Sequence, residues 1–255
     1  MTSAGQGKPH WRVGLFLPAV VVFVAFSILG GLGAWQLERK AWKESLIETL
    51  DLALNANPVA LPPARQWPGL NAAVDEFRRI TFEATTEPSG EALVYAAGSA
   101  FRPDISGPGY WVFARAKLAG GETVVINRGF LPEGLRQAAH EAGPGRVALT
   151  GALRWPEERG LFVPKDDPGK NLWFVRDHIS MARAKGWGDV APFYVELETP
   201  TGTSGVPSAG RLKVSLRNDH LQYALTWFGL AVVLVFVFGF WVRSRAREAS
   251  TTTSQ

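Results

Sequence analysis

Two uncharged, strongly apolar runs, residues 13–37 and 221–242, bracket this 255-residue chain and limit what it can become. Each exceeds the roughly 20 residues that a helix rising 1.5 Å per residue needs to cross about 30 Å of hydrocarbon. Lipid offers no hydrogen-bond partners, so an isolated run of this kind satisfies its backbone only as a helix. The near-zero mean hydropathy of +0.01 averages these runs with a middle section of ordinary soluble composition. That middle section is long enough for one domain with its own core.

The first run has a competing reading as a cleaved signal peptide, with Lys8 and Arg12 as its basic region. A signal core spans only about 7–15 residues, and this run continues uncharged through Gln36 and Leu37, which favours a retained anchor. The expected organisation is a tail at 1–12, a transmembrane helix at 13–37 and an outer-facing α+β domain at 38–219. A second transmembrane helix at 220–242 and a disordered tail at 243–255 complete it. Basic residues flank both helices on both sides: Lys8 and Arg12 against Arg39, Lys40 and Lys43, then Arg211, Lys213 and Arg217 against Arg243, Arg245 and Arg247. Charge counting therefore gives no orientation; two spans with short tails favour both termini in the cytoplasm.

The chain has no cysteine, which excludes disulfides, thiolate metal sites and covalent haem attachment through Cys-x-x-Cys-His. The net charge of +4 is spread along the chain, so there is no stripe suited to nucleic acid. Basic residues at helix ends meeting the lipid bilayer's anionic headgroups account for it more simply.

Beyond the first helix, Trp42, Leu46, Leu50 and Leu54 keep a helical spacing until Pro58, Pro62 and Pro63 open a Pro-rich connector. Strand patterns follow at 80–85, 93–97, 110–118, 123–131, 147–155 and 193–197, with a short helix at 176–185. Gly120-Gly121 marks a hairpin between the third and fourth strands. The short connections predict a mostly antiparallel sheet or partial barrel. The Gly, Ser, Thr and Pro-rich stretch at 200–210 reads as a linker to the second helix.

Few residues suggest chemistry. Arg128, at the end of a strand, either binds an anionic group or braces its own turn. Asp166 and Asp167 lack calcium-loop spacing and suit turn shaping; Trp173 and Phe174 read as an anchor ahead of a helix capped by Asp177. The entry to the second transmembrane helix says most. In helical geometry His220, Tyr223 and Trp227 share a face, with Gln222 and Thr226 on the adjacent one. An aromatic belt explains Tyr223 and Trp227 but not three polar side chains at that depth. Trp35 and Gln36 stand at the matching depth of the first helix, so Gln36 and Gln222 are expected to hydrogen-bond across the pair. His220 either rests among headgroups or serves as an axial ligand to a non-covalently held haem. No hydrolase nucleophile, HExxH or phosphate loop is present.

Four segments in order resemble the Surfeit locus protein 1 family. They are Gly33-Ala34-Trp35-Gln36-Leu37-Glu38-Arg39-Lys40 with Trp42-Lys43, and Asn127-Arg128-Gly129-Phe130. Next come Asn171-Leu172-Trp173-Phe174 with Arg176-Asp177 and Met181-Ala182, then residues 220–231, His-Leu-Gln-Tyr-Ala-Leu-Thr-Trp-Phe-Gly-Leu-Ala. The resemblance implies two spans with both termini on the cytoplasmic or matrix side. It also implies an assembly role for haem-copper cytochrome c oxidase, in which haem a is delivered to or retained for the catalytic subunit. His220 falls on the family's helix-two histidine, a haem ligand candidate. A short N-terminal tail without transit-peptide character fits a bacterial plasma membrane. The expectation is thus an assembly factor, not a catalyst. His220 would ligate the haem iron, Tyr223, Trp227 and Trp35 would pack the macrocycle, and Gln36 and Gln222 would fix the register. Arg128, Trp173 and Phe174 would contact partners, namely the oxidase catalytic subunit and haem a synthase-type proteins. The alternatives are a scaffold that binds no haem and, more remotely, an envelope enzyme.

Overall fold

The structure is a computed structural model that describes residues 14–86, 90–99, 101–140, 145–201, 205–214 and 218–252. Lys8, His10, Arg12, the tail at 1–12, the start of the first run and Arg217 lie outside the described residues. The chain divides into two compact units, Met1–Leu46 with Arg217–Gln255, and Ile47–Leu216.

The first unit is a helix pair. Helix α1 (Phe16–Asn55) runs unbroken from the first apolar run, and α4 (His220–Thr252) carries the second. Their most apolar windows have a mean hydropathy of 2.3. Phe16, Phe23, Phe236 and Phe240 are each at least 70% exposed. Aqueous surfaces do not display contiguous aromatic and aliphatic area of this kind; a lipid-facing surface does. The helix continues to Thr252, so the expected disordered tail from residue 243 is instead helical. Glu248 and Arg247 are good helix formers and the preceding turns need no new nucleus, so propagation continues.

Against lipid, the residues of each helix that are shielded recur at alternating steps of four and three. On α1 they include Pro18, Val22, Ala25, Leu29, Leu32 and Gln36. On α4 they include His220, Ala224, Trp227, Ala231, Leu234, Phe238 and Trp241. A 3.5-residue period is the seam of a left-handed helix pair. Gln36 lies beside His220, Gly33 beside Phe228, and Pro18 and Val22 beside Leu234 and Phe238, so the helices are antiparallel. Small residues allow close approach where apolar attraction between helices is weak. A Cβ on Gly33 would stand 2.5 Å from the Phe228 ring.

The second unit is a mixed, mostly antiparallel sheet. Its strands are β1 (Val59–Ala60), β2 (Arg79–Thr86), β3 (Ala92–Gly98), β4 (Ser106–Lys117), β5 (Thr123–Pro132), β6 (Gly145–Arg154) and β7 (Val190–Leu197). They lie in the order β1-β2-β6-β7-β5-β4-β3, and β2 also pairs with β4 through Thr85–Lys117 and Thr86–Ala116. That short pairing closes β2, β6, β7, β5 and β4 into a barrel, which removes most of the open sheet edge. Two pairings are parallel, β1–β2 and β5–β7. The Pro-rich connector is thus partly a sheet edge. A one-turn helix α2 (Ala72–Asp75) precedes β2, and α3 (His178–Lys185) precedes β7.

The two-residue period of strands sorts side chains cleanly. Ile80, Ala84, Ala114, Ala116, Val124, Ile126, Leu149, Leu153, Phe193 and Val195 fill the barrel, and Trp67 from a 3-10 turn packs among them. Trp67 meets Phe193 edge to face at 5.4 Å and donates its indole N–H to Pro62 O. The alternate residues Trp111, Phe113, Val125 and Tyr194 face outward and are covered by Trp173, Met181, Ala182 and Trp187. Asp177 caps α3 by accepting from the N–H groups of Ile179 and Ser180. Arg211 donates to Leu54 O and Arg79 to Ala56 O, satisfying carbonyls at the end of α1.

The stretch expected to be a free linker is fastened in its described part. Phe130 and Ser208 exchange backbone hydrogen bonds at 3.1 and 2.7 Å, and Arg102 donates to the carbonyls of Ser208 and Gly210. Gly129 permits this. Its φ is +122°, and a Cβ there would fall 2.4 Å from Ala209 N. Gly129→Ala in the full chain is therefore expected to lose more than about 2 kcal/mol of stability, read by tryptophan fluorescence in denaturant. Gly134→Ala, which meets open space, should stay within about 0.5 kcal/mol of wild type. Equal stability of both variants would mean that this close approach is not a constraint.

Candidate functional site

At the start of α4 the helix pair carries a cross-helix hydrogen bond. His220 is the first residue of α4, and Gln36 sits on the seam of α1. Nδ1 of His220 and Oε1 of Gln36 are 2.7 Å apart. An amide oxygen only accepts, so the imidazole proton sits on Nδ1. Nε2 then carries the lone pair, and among the described residues the ring has no other hydrogen bond. An imidazole fixed through one nitrogen with the other bare is the arrangement of a metal-ligating histidine, whose second partner sets tautomer and ring direction.

Helix geometry explains why these two meet. In antiparallel packing each seam position faces one place on the other helix, and Gln36 and His220 are both seam positions. The expected pairing of Gln36 with Gln222 is not what forms. Gln222 lies off the seam and is exposed, and its carbonyl accepts from Thr226 Oγ1 at 2.9 Å. Trp227 is half-buried on the seam, whereas Tyr223 and Trp35 are 55% and 54% exposed. Both lie within one turn of the hydrogen-bonded pair along their own helices, so a flat ligand at Nε2 would find exposed aromatic rings on either helix.

The residues expected to contact partners fare differently. Arg128 is buried: its guanidinium pairs with Glu91 at 3.4 Å and donates to Ala139 O and Thr201 Oγ1. Burial pulls its guanidinium below its ordinary range, partly offset by Glu91. Removing one partner of such a pair leaves an uncompensated buried charge. Arg128 is therefore a brace of its own turn and no contact surface. Trp173 is also sealed, bridging to β3 through hydrogen bonds with Leu93 and Tyr95. Phe174 remains half-exposed. Asp166 and Asp167 shape their turn, accepting from the N–H groups of Phe174 and Lys170.

Two features escaped sequence reasoning. The first is a buried polar group on the outer sheet face. Arg176 and Arg154 lie 3.4 and 3.7 Å from the Glu196 carboxylate, beside Tyr194. Burial pushes the Tyr194 hydroxyl up to about 12, so it stays protonated. Burial opposes the charge of Arg176, but Glu196, Tyr194 and Glu157 outweigh it and hold the guanidinium above its ordinary range. Alternating positions on strands β6 and β7 could have placed Arg154 and Glu196 on the outer face; their burial and pairing depend on what covers that face and on register.

The second is the loop after β6. Leu161 and Phe162 are 97% and 98% exposed. They occupy a turn closed by Val163 N to Gly160 O at 3.2 Å, and Arg159 clamps its base through Pro164 O and the Asp166 carboxylate. A short apolar run in sequence does not reveal whether it is covered.

Comparison with known proteins follows the same span of chain. The model of the SURF1 family matches residues 23–232. Surfeit locus protein 1 of Rattus norvegicus is 30% identical over 247 residues, covering 92% of this chain and 75% of the relative. Surfeit locus protein 1 of Homo sapiens is 29% identical over 237 residues, at 88% and 76%. A SURF1-like protein of Monosiga brevicollis is 32% identical over 228 residues, at 82% of each.

The hydrogen bond to Gln36 generates a test. A cross-helix bond of about 1 kcal/mol biases the tautomer roughly fivefold. Nitrogen NMR of 15N-histidine protein in lipid is expected to show His220 with Nε2 unprotonated, and Gln36→Leu should abolish that preference. An unchanged tautomer ratio in Gln36→Leu would remove the orienting role.

Proposed function

The chain belongs to the SURF1 family, and on that footing we propose that it is a membrane-anchored assembly factor for haem-copper cytochrome c oxidase. It assists delivery or insertion of haem a into the catalytic subunit. Both termini lie on the cytoplasmic face of a bacterial plasma membrane and the sheet domain on the outer face. The antiparallel helix pair supports this reading, because it brings the start of α1 and the later turns of α4 to one end of the pair.

The observation that carries the haem reading is the bare Nε2 of His220, with Gln36 holding Nδ1. The residues present fit such a group: an imidazole engaged through one ring nitrogen only, and exposed aromatic rings nearby. In the oxidase, haem a supplies a redox-active iron. In this chain His220 would hold that group through Nε2. Gln36 would keep the imidazole aimed, Trp35 and Tyr223 would offer flat apolar contact, and Trp227 would back the ring from the seam. Non-covalent holding suits transient custody, since nothing has to be cleaved for the cargo to leave.

Partner docking falls to the surface that the domain exposes. Arg128 and Trp173 are sealed, so the contact shifts to Leu161 and Phe162, with Phe174 as a half-exposed accessory. A clamped turn presenting two apolar side chains spends little conformational entropy on binding and supplies anchor-type contacts.

Two experiments separate the parts. Wild type co-expressed with haem a synthesis and purified in mild detergent is expected to show a Soret band. His220→Ala should lose it, and Gln36→Leu should lower its occupancy with an unchanged fold by tryptophan fluorescence. No bound haem in wild type would favour the scaffold that binds none, and a full band in His220→Ala would move the ligand elsewhere. The second experiment uses Leu161→Ser with Phe162→Ser. Its stability should stay within about 0.5 kcal/mol of wild type, while co-purification of the oxidase catalytic subunit falls. Undiminished co-purification would exclude the turn as the docking point.

A further inference from the structure

The apolar run of α1 stops at Leu37, next to Gln36, and the helix continues through Glu38, Arg39 and Lys40. Lys40 is committed to Glu44 at 2.7 Å. Arg39 is exposed, and its guanidinium lies over the Trp42 ring, 3.9 Å from the ring centre. Among the described residues that guanidinium makes no hydrogen bond or ion pair. Stacking on an indole restrains a guanidinium while leaving the N–H groups along its edge open to a carboxylate.

Helix geometry decides which side this fork occupies. Counted from Gln36 at roughly 100° per residue, Trp35, Arg39 and Trp42 share one flank of α1, within about 60° of one another. On α4, Tyr223 stands about 60° from His220 in the same rotational sense. In an antiparallel pair, equal senses fall on the same side of the seam. Gly33 and Phe228 follow the rule on the other side: both are rotated the opposite way, and they stand against each other. Trp35, Tyr223 and Arg39 therefore border one surface of the pair, beside the Gln36–His220 bond. Their order along the axis is also set. Tyr223 lies about 4.5 Å from His220 into the apolar run, and Arg39 about 4.5 Å from Gln36 away from it.

We propose that Arg39 binds a carboxylate of the macrocycle that His220 ligates, and so fixes which edge of that group faces water. The inference rests on the haem reading above and deepens it. Haem carries its two propionates on one edge and apolar substituents elsewhere. Trp35 and Tyr223 offer contact to the apolar part on the hydrocarbon side of the imidazole, and an unengaged guanidinium stands on the opposite side. A carboxylate at that depth is partly dehydrated, which strengthens a charged, bidentate pair with arginine. A group held only through its metal can turn about the axial bond; a second, charged anchor stops that rotation.

The same guanidinium chemistry suits a lipid phosphate, so the test keeps the lipid net-neutral and varies the charge of the macrocycle. The full chain in phosphatidylcholine nanodiscs is titrated with haem b, which bears the same propionates, and with its dimethyl ester, following the His220-dependent Soret band. The ratio of the two affinities is compared between wild type and Arg39→Gln, so unequal partitioning into lipid cancels. Arg39→Gln should weaken haem b about tenfold and leave the diester within about twofold of wild type. Arg39→Lys should recover part of the loss, because a point charge replaces a fork. An unchanged ratio in Arg39→Gln would overturn the inference and assign Arg39 to the headgroups, with the haem reading intact. No His220-dependent band with either porphyrin would sink the haem reading itself, and this inference with it. The His220 tautomer in unloaded Arg39→Gln should match wild type, since Arg39 lies off the seam. Its loss would make Arg39 a brace of the helix pair and likewise overturn the assignment.

Discussion

The helix pair must assemble in a solvent as apolar as its own side chains. Burying Leu or Val against another helix gains little there, so close packing and the few polar contacts must define the pair. The 3.5-residue seam supplies the packing, with Gly33, Ala224 and Ala231 letting the backbones approach. The Gln36–His220 bond supplies the polar contact at one end. A polar pair on a seam works as a register mark, because slipping either helix would strand both groups. The same bond decides which imidazole nitrogen is left bare. Register of the pair and chemistry of the candidate ligand therefore rest on one interaction.

The sheet domain deals with polarity in the opposite way. It encloses its charges and pairs them: Arg128 with Glu91, and Arg154 and Arg176 with Glu196. Replacing such pairs with hydrocarbon is often neutral for stability, so their presence says little about strength. Their geometry is informative. Arg128 ties β5 to the turn ending at Ala139 and to Thr201, and Arg79 grips Glu198 with two hydrogen bonds of 2.6 and 2.7 Å. These contacts link segments distant in sequence, and each would be left unsatisfied by an alternative strand register.

What could be read from the chain beforehand follows from whether a feature is local. Both apolar helices, the Gly120-Gly121 hairpin, six of the seven strands and the Asp177 cap were legible, because period, turn chemistry and capping act within a few residues. The closure of β2 on β4 and the parallel pairing of β5 with β7 were not, since both depend on partners far along the chain. The two-residue strand β1 hid among prolines, which ordinarily speak against a strand. At the site, His220 and Gln36 were both singled out, but Gln36 was assigned to Gln222. Facing across a helix pair depends on which residues form the seam, and the 3.5-residue stripe that settles it is visible only in the burial of both helices. Arg128 and Trp173 drew attention as polar and aromatic residues in short motifs, the same composition that a buried brace and an interface anchor share.

Two histidines in this chain show how similar chemistry leads to different uses. His178 also engages one nitrogen, with Nε2 at 3.0 Å from Ala191 O, and also leaves the other without a hydrogen bond. Burial lowers its tendency to protonate, against the opposing pull of the Ala191 carbonyl and Asp177. Its ring is fully enclosed beside Tyr194, so its bare Nδ1 faces packed side chains. His220 differs in being half-exposed at a helix start, with its second nitrogen available to something outside the fold. A ring nitrogen left without a hydrogen bond is common to both; access is not. The difference comes from position. A histidine at the capped start of α3 is pressed onto a sheet, whereas one at the start of α4 sits where two helices meet lipid and headgroups. Of these two histidines, His220 alone combines an oriented ring with a route for a ligand to reach it.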